Sequence, residues 1–213
     1  MRTSIALLVL LAASPAASAA PAGGAANPAE AGLPAATGLQ VAQAAIAQRT
    51  FRSPEFGYRF AYPSDWTFGQ AQGDVRAVLA TPPGANPGAC SIAVRNSEEF
   101  RGLTQAQLDW SISNHAFGPE DWIRSLGTRF TNVTVKSPAV IKLGKRPARF
   151  ALADATDANG APTVLLMFHA LTPGRTWHFA CGGTGTDAKT AEAAFNARRI
   201  EFMRIMSTFA WDE

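Results

Sequence analysis

Charge is scarce in this chain. Asp, Glu, Lys and Arg make up 16% of its 213 residues, against about a quarter in an ordinary soluble domain. The net formal charge is only +3. The densest basic stretch, KLGKRPAR at 142–149, reads as a solvated hairpin turn. That excludes a nucleic-acid or lipid-headgroup surface, which needs clustered cations. Cysteine is reduced to two residues and histidine to three. No Cys-x-x-Cys, Gly-x-Ser-x-Gly or P-loop spacing occurs, so the motif-borne forms of redox, acyl-transfer and nucleotide chemistry are excluded. Beyond the N-terminus no apolar run approaches the 18 residues or so that a membrane helix requires, so no integral membrane segment is expected in the mature chain.

What is present starts with an export signal. MRTSIALLVLLAASPAASA places Arg2 before an apolar stretch from Ile5 to Ala13, and Ala17-Ser18-Ala19 supplies a small-x-small cleavage site. That order predicts a signal peptide over 1–19 and a soluble periplasmic or secreted product. Its removal takes Arg2 alone and leaves 18 basic against 16 acidic residues, a net +2. Residues 20–48 are dominated by Ala, Gly and Pro and lack aromatics. Such a segment buries too little surface to offset chain entropy and reads as a flexible linker, with a short helix possible over LQVAQAAIAQ at 39–48. Residues 49–213 remain for one domain of ordinary size.

FGYRFAYPSDW at 56–66 puts Phe56, Tyr58, Phe60 and Tyr62 on alternate positions. Period two predicts a strand with one aromatic face, stopped by a turn at Pro63. Residues 75–81 and 90–96 read as further strands. Thr104 and Gln107 have capping-box spacing ahead of a Leu108/Ile112/Ala116 stripe, and Pro119 opens a second short helix. Strands return at 130–136 and in two hairpins, one turning at Gly144-Lys145 and one at Pro173-Gly174. A long helix from about Asp187 to Met206 closes the chain, with Ala191, Phe195, Arg198, Phe202, Ile205 and Phe209 near one stripe. Blocks of hairpin-linked strands between helices predict an α+β fold with a mainly antiparallel sheet.

The opening Gly-Tyr-x-Phe-x-Tyr-Pro-x-x-Trp, the Leu-Gly-x-x-Pro-Ala turn and the closing Phe202 and Ser207-Thr208-Phe209 resemble the PsbP-like superfamily over roughly residues 50–211. This group includes the extrinsic PsbP subunit of photosystem II and a Ran-binding import factor. The resemblance implies a mainly antiparallel central sheet with helices on both faces, an α/β/α sandwich. It implies a binding or assembly module and carries over no catalytic residue, no cofactor and no particular partner. Fold alone does not fix function.

Cys90 and Cys181 fall on the apolar phases of their strands, and an even count in an exported protein favours a disulfide over two buried thiols. A two- or four-residue turn centred on Pro173-Gly174 would bring His169 opposite His178. Two histidines are half a metal site, and no third ligand is placed by spacing, so aromatic spacers on a half-buried face are the simpler account. His115 lies on the stripe of its helix and reads as a core or boundary histidine. CGGTGTD at 181–187 either presents N–H groups to an anion or merely links a strand to a helix capped by Thr186 or Asp187. Asn132-Val133-Thr134 has the form of a glycosylation sequon, for which a strand reading suffices. Trp110 falls off its helix's apolar stripe and, if exposed, marks a partner surface; the 81–89 loop is a further place for one. These readings converge on a non-enzymatic exported module for a cell-envelope protein partner, of undetermined oligomeric state. A periplasmic small-ligand or metal-binding protein using the His169/His178 face is the alternative.

Overall fold

Strand β2 (Tyr58–Pro63) shows the aromatic alternation directly, with Tyr58, Phe60 and Tyr62 buried and Arg59 exposed between them. These observations come from a computed structural model that describes residues 47–212 apart from 70–72, 85, 116, 127 and 128. The expected signal peptide, nearly all of the expected linker and the helical expectation for 39–48 lie outside the described residues, as do Ala116 and Gly127.

Two expectations for the opening change. Phe56 is not in the strand: it sits half-buried in a turn whose Gly57 has φ +66°, a backbone region that favours glycine. The sequence reading also missed strand β1 (Gln48–Ser53), which begins inside the expected linker and pairs antiparallel with β2, Phe51 opposite Phe60. Pro63 accepts a hydrogen bond from Trp66 N–H at 3.1 Å, closing the turn. The chain then leaves the small sheet for the large one.

The large sheet has seven strands. In chain order they are β3 (Thr67–Gly69), β4 (Val75–Ala80), β5 (Gly88–Asn96), β6 (Phe130–Leu143), β7 (Arg146–Asp157), β8 (Pro162–Thr172) and β9 (Arg175–Thr184). Their spatial order is β3-β4-β5-β9-β8-β7-β6, every neighbouring pair antiparallel. A two-residue strand β10 (Ala210–Trp211) completes the small sheet beside β2. The three α-helices among the described residues are α1 (Gln105–Asn114), α2 (Pro119–Leu126) and α3 (Ala188–Ser207). The fold is therefore α+β and mainly antiparallel. No helix among the described residues is long and apolar enough to cross a membrane.

One face of the large sheet packs on α3 and the small sheet. There Trp177 and Phe179 meet Tyr58, Phe202 and Phe209 in one buried cluster. Gly183 permits this approach: a Cβ on it would lie 2.3 Å from the Phe195 backbone nitrogen on α3. The other face packs on α1 and α2, through Leu108 and Ile112 of α1 and Trp122 and Leu126 of α2. Alanines 151, 153 and 155 of β7 form much of the floor beneath α2. Residues 130–143, read as two strands, form one edge strand broken by irregularities at Thr131/Thr134 and Lys136/Ala139, with positive φ at Asn132 and Ser137. With Lys136, Pro138 and Lys142 this edge is poorly suited to adding a further strand.

Candidate functional site

The β8–β9 hairpin turns at Pro173-Gly174 with Thr172 opposite Arg175, so His169 and His178 face each other directly. Their ring centroids are 4.9 Å apart. Both lie on the α1/α2 side of the sheet, beneath the connection between those helices. Phe117, in that connection, stacks on His169 with centroids 4.9 Å apart and 13° between planes. Trp122 of α2 meets Phe117 edge-on at 5.0 Å.

Arg149, next to His169 across the β7–β8 ladder, completes the cluster. A guanidinium only donates, so its Nη1 donates to His169 Nδ1 at 3.4 Å and its Nη2 to the Ser111 carbonyl of α1 at 3.3 Å. His169 is therefore the neutral tautomer with its proton on Nε2. Arg149 also lies over the Phe117 ring, 4.6 Å from its centroid. Its Nε and the Trp122 Nε1 are buried without a hydrogen-bond partner among the described residues. The solvated-turn reading of 142–149 holds for Lys145, which is exposed, and fails for Arg149, which is buried.

Burial pushes His169 well below the ordinary imidazole range, helped by His178 and Arg149. Burial, with Arg95 and Arg129, pushes His178 down to about 4. Burial likewise lowers Arg149, which Asp121 partly offsets. A cavity of only about 10 Å³ lies beside His178, bounded in part by Ser91, Trp122, Ser125 and Arg129. That is room for one water at most. No group of three His, Cys, Asp or Glu among the described residues is placed to hold a metal ion. A guanidinium against the first imidazole opposes a cation further.

Trp110 is 60% exposed on α1. It borders an open groove of about 510 Å³ lined by Leu103, Ala106, Gln107, Ser111 and His115, with no charged side chain. His115 is not a core residue. It leaves the helix as its C-cap with extended backbone, is exposed, takes a hydrogen bond with Ser111 Oγ at 3.2 Å, and meets Trp110 edge-on at 5.1 Å.

Cys90 and Cys181 sit opposite each other on β5 and β9, on the aromatic face, with sulfurs 2.11 Å apart in a disulfide. CGGTGTD is a packing device. A Cβ on Gly185 would lie 2.2 Å from the Ala191 nitrogen, and Asp187 caps α3 by accepting from Thr190 N–H at 2.8 Å. A carboxylate already occupies the helix end where an anion would bind. Asn132 bonds weakly to Thr156 Oγ1 at 3.4 Å on the edge strand. The 81–89 loop is tied to α3, where Arg198 Nε donates to the Asn86 carbonyl at 3.4 Å.

Sequence reasoning missed Arg149, Phe117 and Trp122 as partners of the histidines. A signal was there for Arg149. It shares its strand phase with Ala151, Ala153 and Ala155, small residues that mark a face closely covered by a helix.

A seven-stranded antiparallel sheet with α3 on one face, α1/α2 on the other and a small aromatic sheet beside α3 matches solved structures. Cyanobacterial PsbP from Synechocystis aligns with a TM-score of 0.52 and 12% identity, over 82% of this chain and 98% of that one. The fold is PsbP-like. The yeast Ran-binding protein Mog1p has it too, with a TM-score of 0.51 and 9% identity over 79% of this chain and 97% of its own. No protein-family model and no curated protein sequence matches the chain. At these identities the PsbP-like likeness is one of fold alone.

Proposed function

We propose that the protein is an exported, non-enzymatic binding or assembly module that docks a protein partner of the cell envelope along α1. The observation that carries this reading is Trp110, a large aromatic ring left 60% exposed beside an uncharged groove. A half-exposed indole offers a large apolar contact and one N–H donor, the combination enriched at protein interfaces. The PsbP-like fold supports the reading, since Mog1p, described as Ran-binding, binds a protein on the same scaffold. The predicted signal peptide and the cysteine pair support export. The proposal gives the histidine pair no metal: the Arg149 guanidinium lies 3.4 Å from His169 Nδ1, where its positive charge opposes a cation.

A photo-crosslinking residue placed at position 106, which lines the groove one turn before Trp110, in the full chain and its own cells, tests this. One dominant adduct to an envelope protein is expected from position 106, and none from position 159 in the β7–β8 turn. No adduct at 106, or the same adducts from both positions, overturns it. For the metal alternative, zinc binding that is unchanged in the His169→Ala/His178→Ala variant removes it.

A further inference from the structure

The histidine pair has a feature that metal binding and docking both leave unused. It is a stack of groups that accept or carry positive charge, closed under two helices, with little negative charge to meet a proton. From β7 the facing group is Arg149, already a cation, whose Nη1 donates to His169 Nδ1. From β5 it is Arg95, whose charge is paired with Asp74 at 3.0 Å. From the segment between α2 and β6 it is Arg129, which donates to the Leu126 carbonyl at 3.3 Å. From α2 it is Asp121, whose carboxylate is engaged by Gly118 N–H and Arg124 at 2.9 and 3.1 Å. From α1 come the Ser111 carbonyl, taken by Arg149, and the exposed His115 further out. No described carboxylate contacts either imidazole.

We propose that His169 and His178 form a proton-operated latch, whose protonation beside Arg149 releases α1 and α2 from the sheet while the α3 face stays closed. A proton on His169 Nδ1 turns the acceptor of the Arg149 hydrogen bond into a donor aimed at a guanidinium. A second proton on His178 sets two imidazolium rings 4.9 Å apart in surroundings that screen poorly. The cavity beside them holds one water at most. Hydrating the new charge therefore requires moving the roof. The roof consists of Phe117, stacked on His169, and Trp122 behind it, both carried by α2 and the connection before it. Arg149 also ties the C-terminal turn of α1 to the sheet through Ser111, so loss of its imidazole partner loosens that tie. The opposite face has no histidine and is cross-linked by Cys90–Cys181, so it has no reason to open with it. The low position of both imidazoles on the pH scale agrees with this picture. The inference does not depend on what α1 binds.

Hydrogen exchange followed by mass spectrometry on the mature chain decides it. At about pH 4.5, relative to about pH 7 and after correction for intrinsic rates, peptides from 104–126 should exchange at least about tenfold faster. Peptides from β5, β9 and α3 should hold their protection. In the His169→Gln/His178→Gln variant, which keeps an amide acceptor for Arg149, the acid response should vanish. Should that variant not fold, Arg149→Met decides. Removing the facing cation should shift the opening to lower pH, whereas a merely structural arginine would raise exchange at every pH without moving the midpoint. Unchanged protection of 104–126 at about pH 4.5, equal loss across α3, or an undiminished acid response in the glutamine variant each overturns the latch.

Discussion

The two faces of the large sheet are built from different chemistry. The α3 face is aromatic: Trp177, Phe179, Phe202 and Phe209 pack with Tyr58 and Phe60, and a disulfide joins β5 to β9. The α1/α2 face mixes small apolar residues with two histidines and the buried guanidinium of Arg149. Burying apolar surface stabilises steadily at any pH, while buried titratable groups make stability depend on solution conditions. One face thus holds the fold together, and the other responds to its surroundings.

Substitutions in the aromatic face should sharpen this contrast most. Phe202→Ala removes a fully buried ring that meets Trp66 edge-on at 6.0 Å. It should cost about 3 to 5 kcal/mol in urea unfolding. Replacing Cys90 and Cys181 together by Ala should cost about 2 to 5 kcal/mol, and thiol titration of the unreduced wild type should find no free thiol. Acid tests the other face. Because the folded histidines sit below their unfolded value, the unfolded chain binds more protons as pH falls from the ordinary 6.5 toward about 4. Stability should be flat above that window and fall through it, lowering Tm by on the order of 5 °C. A Tm equally pH-dependent in the His169→Gln/His178→Gln variant would break the comparison. The smallest effect on stability should come from Trp110→Ala, within about 0.5 kcal/mol, while crosslinking at neighbouring α1 positions is lost.

Much of the fold was legible because burial leaves a periodic trace. The Tyr58/Phe60/Tyr62 alternation, the Thr104 capping box, the turn at Pro173-Gly174 and the α3 stripe each encode a local decision, and each is found in the structure. Strands β1 and β10 were missed because their support is non-local: each is held by pairing with β2, and β10 is two residues long. The facing of His169 and His178 followed from turn arithmetic. Their environment did not, because Arg149, Phe117 and Trp122 come from three separate segments that only packing brings together. His115 misled for a local reason: the helix ends at Asn114, one residue before the stripe would have buried it.

The bond between Cys90 and Cys181 spans 91 residues of sequence, and the whole of α1, α2 and strands β6 to β8 lies between its ends. A protease that cuts the α1–α2 connection therefore leaves both fragments in one covalent molecule. The nicked protein would migrate as two pieces only after reduction, and the helical layer could be clipped there without the strands on either side of the cut drifting apart.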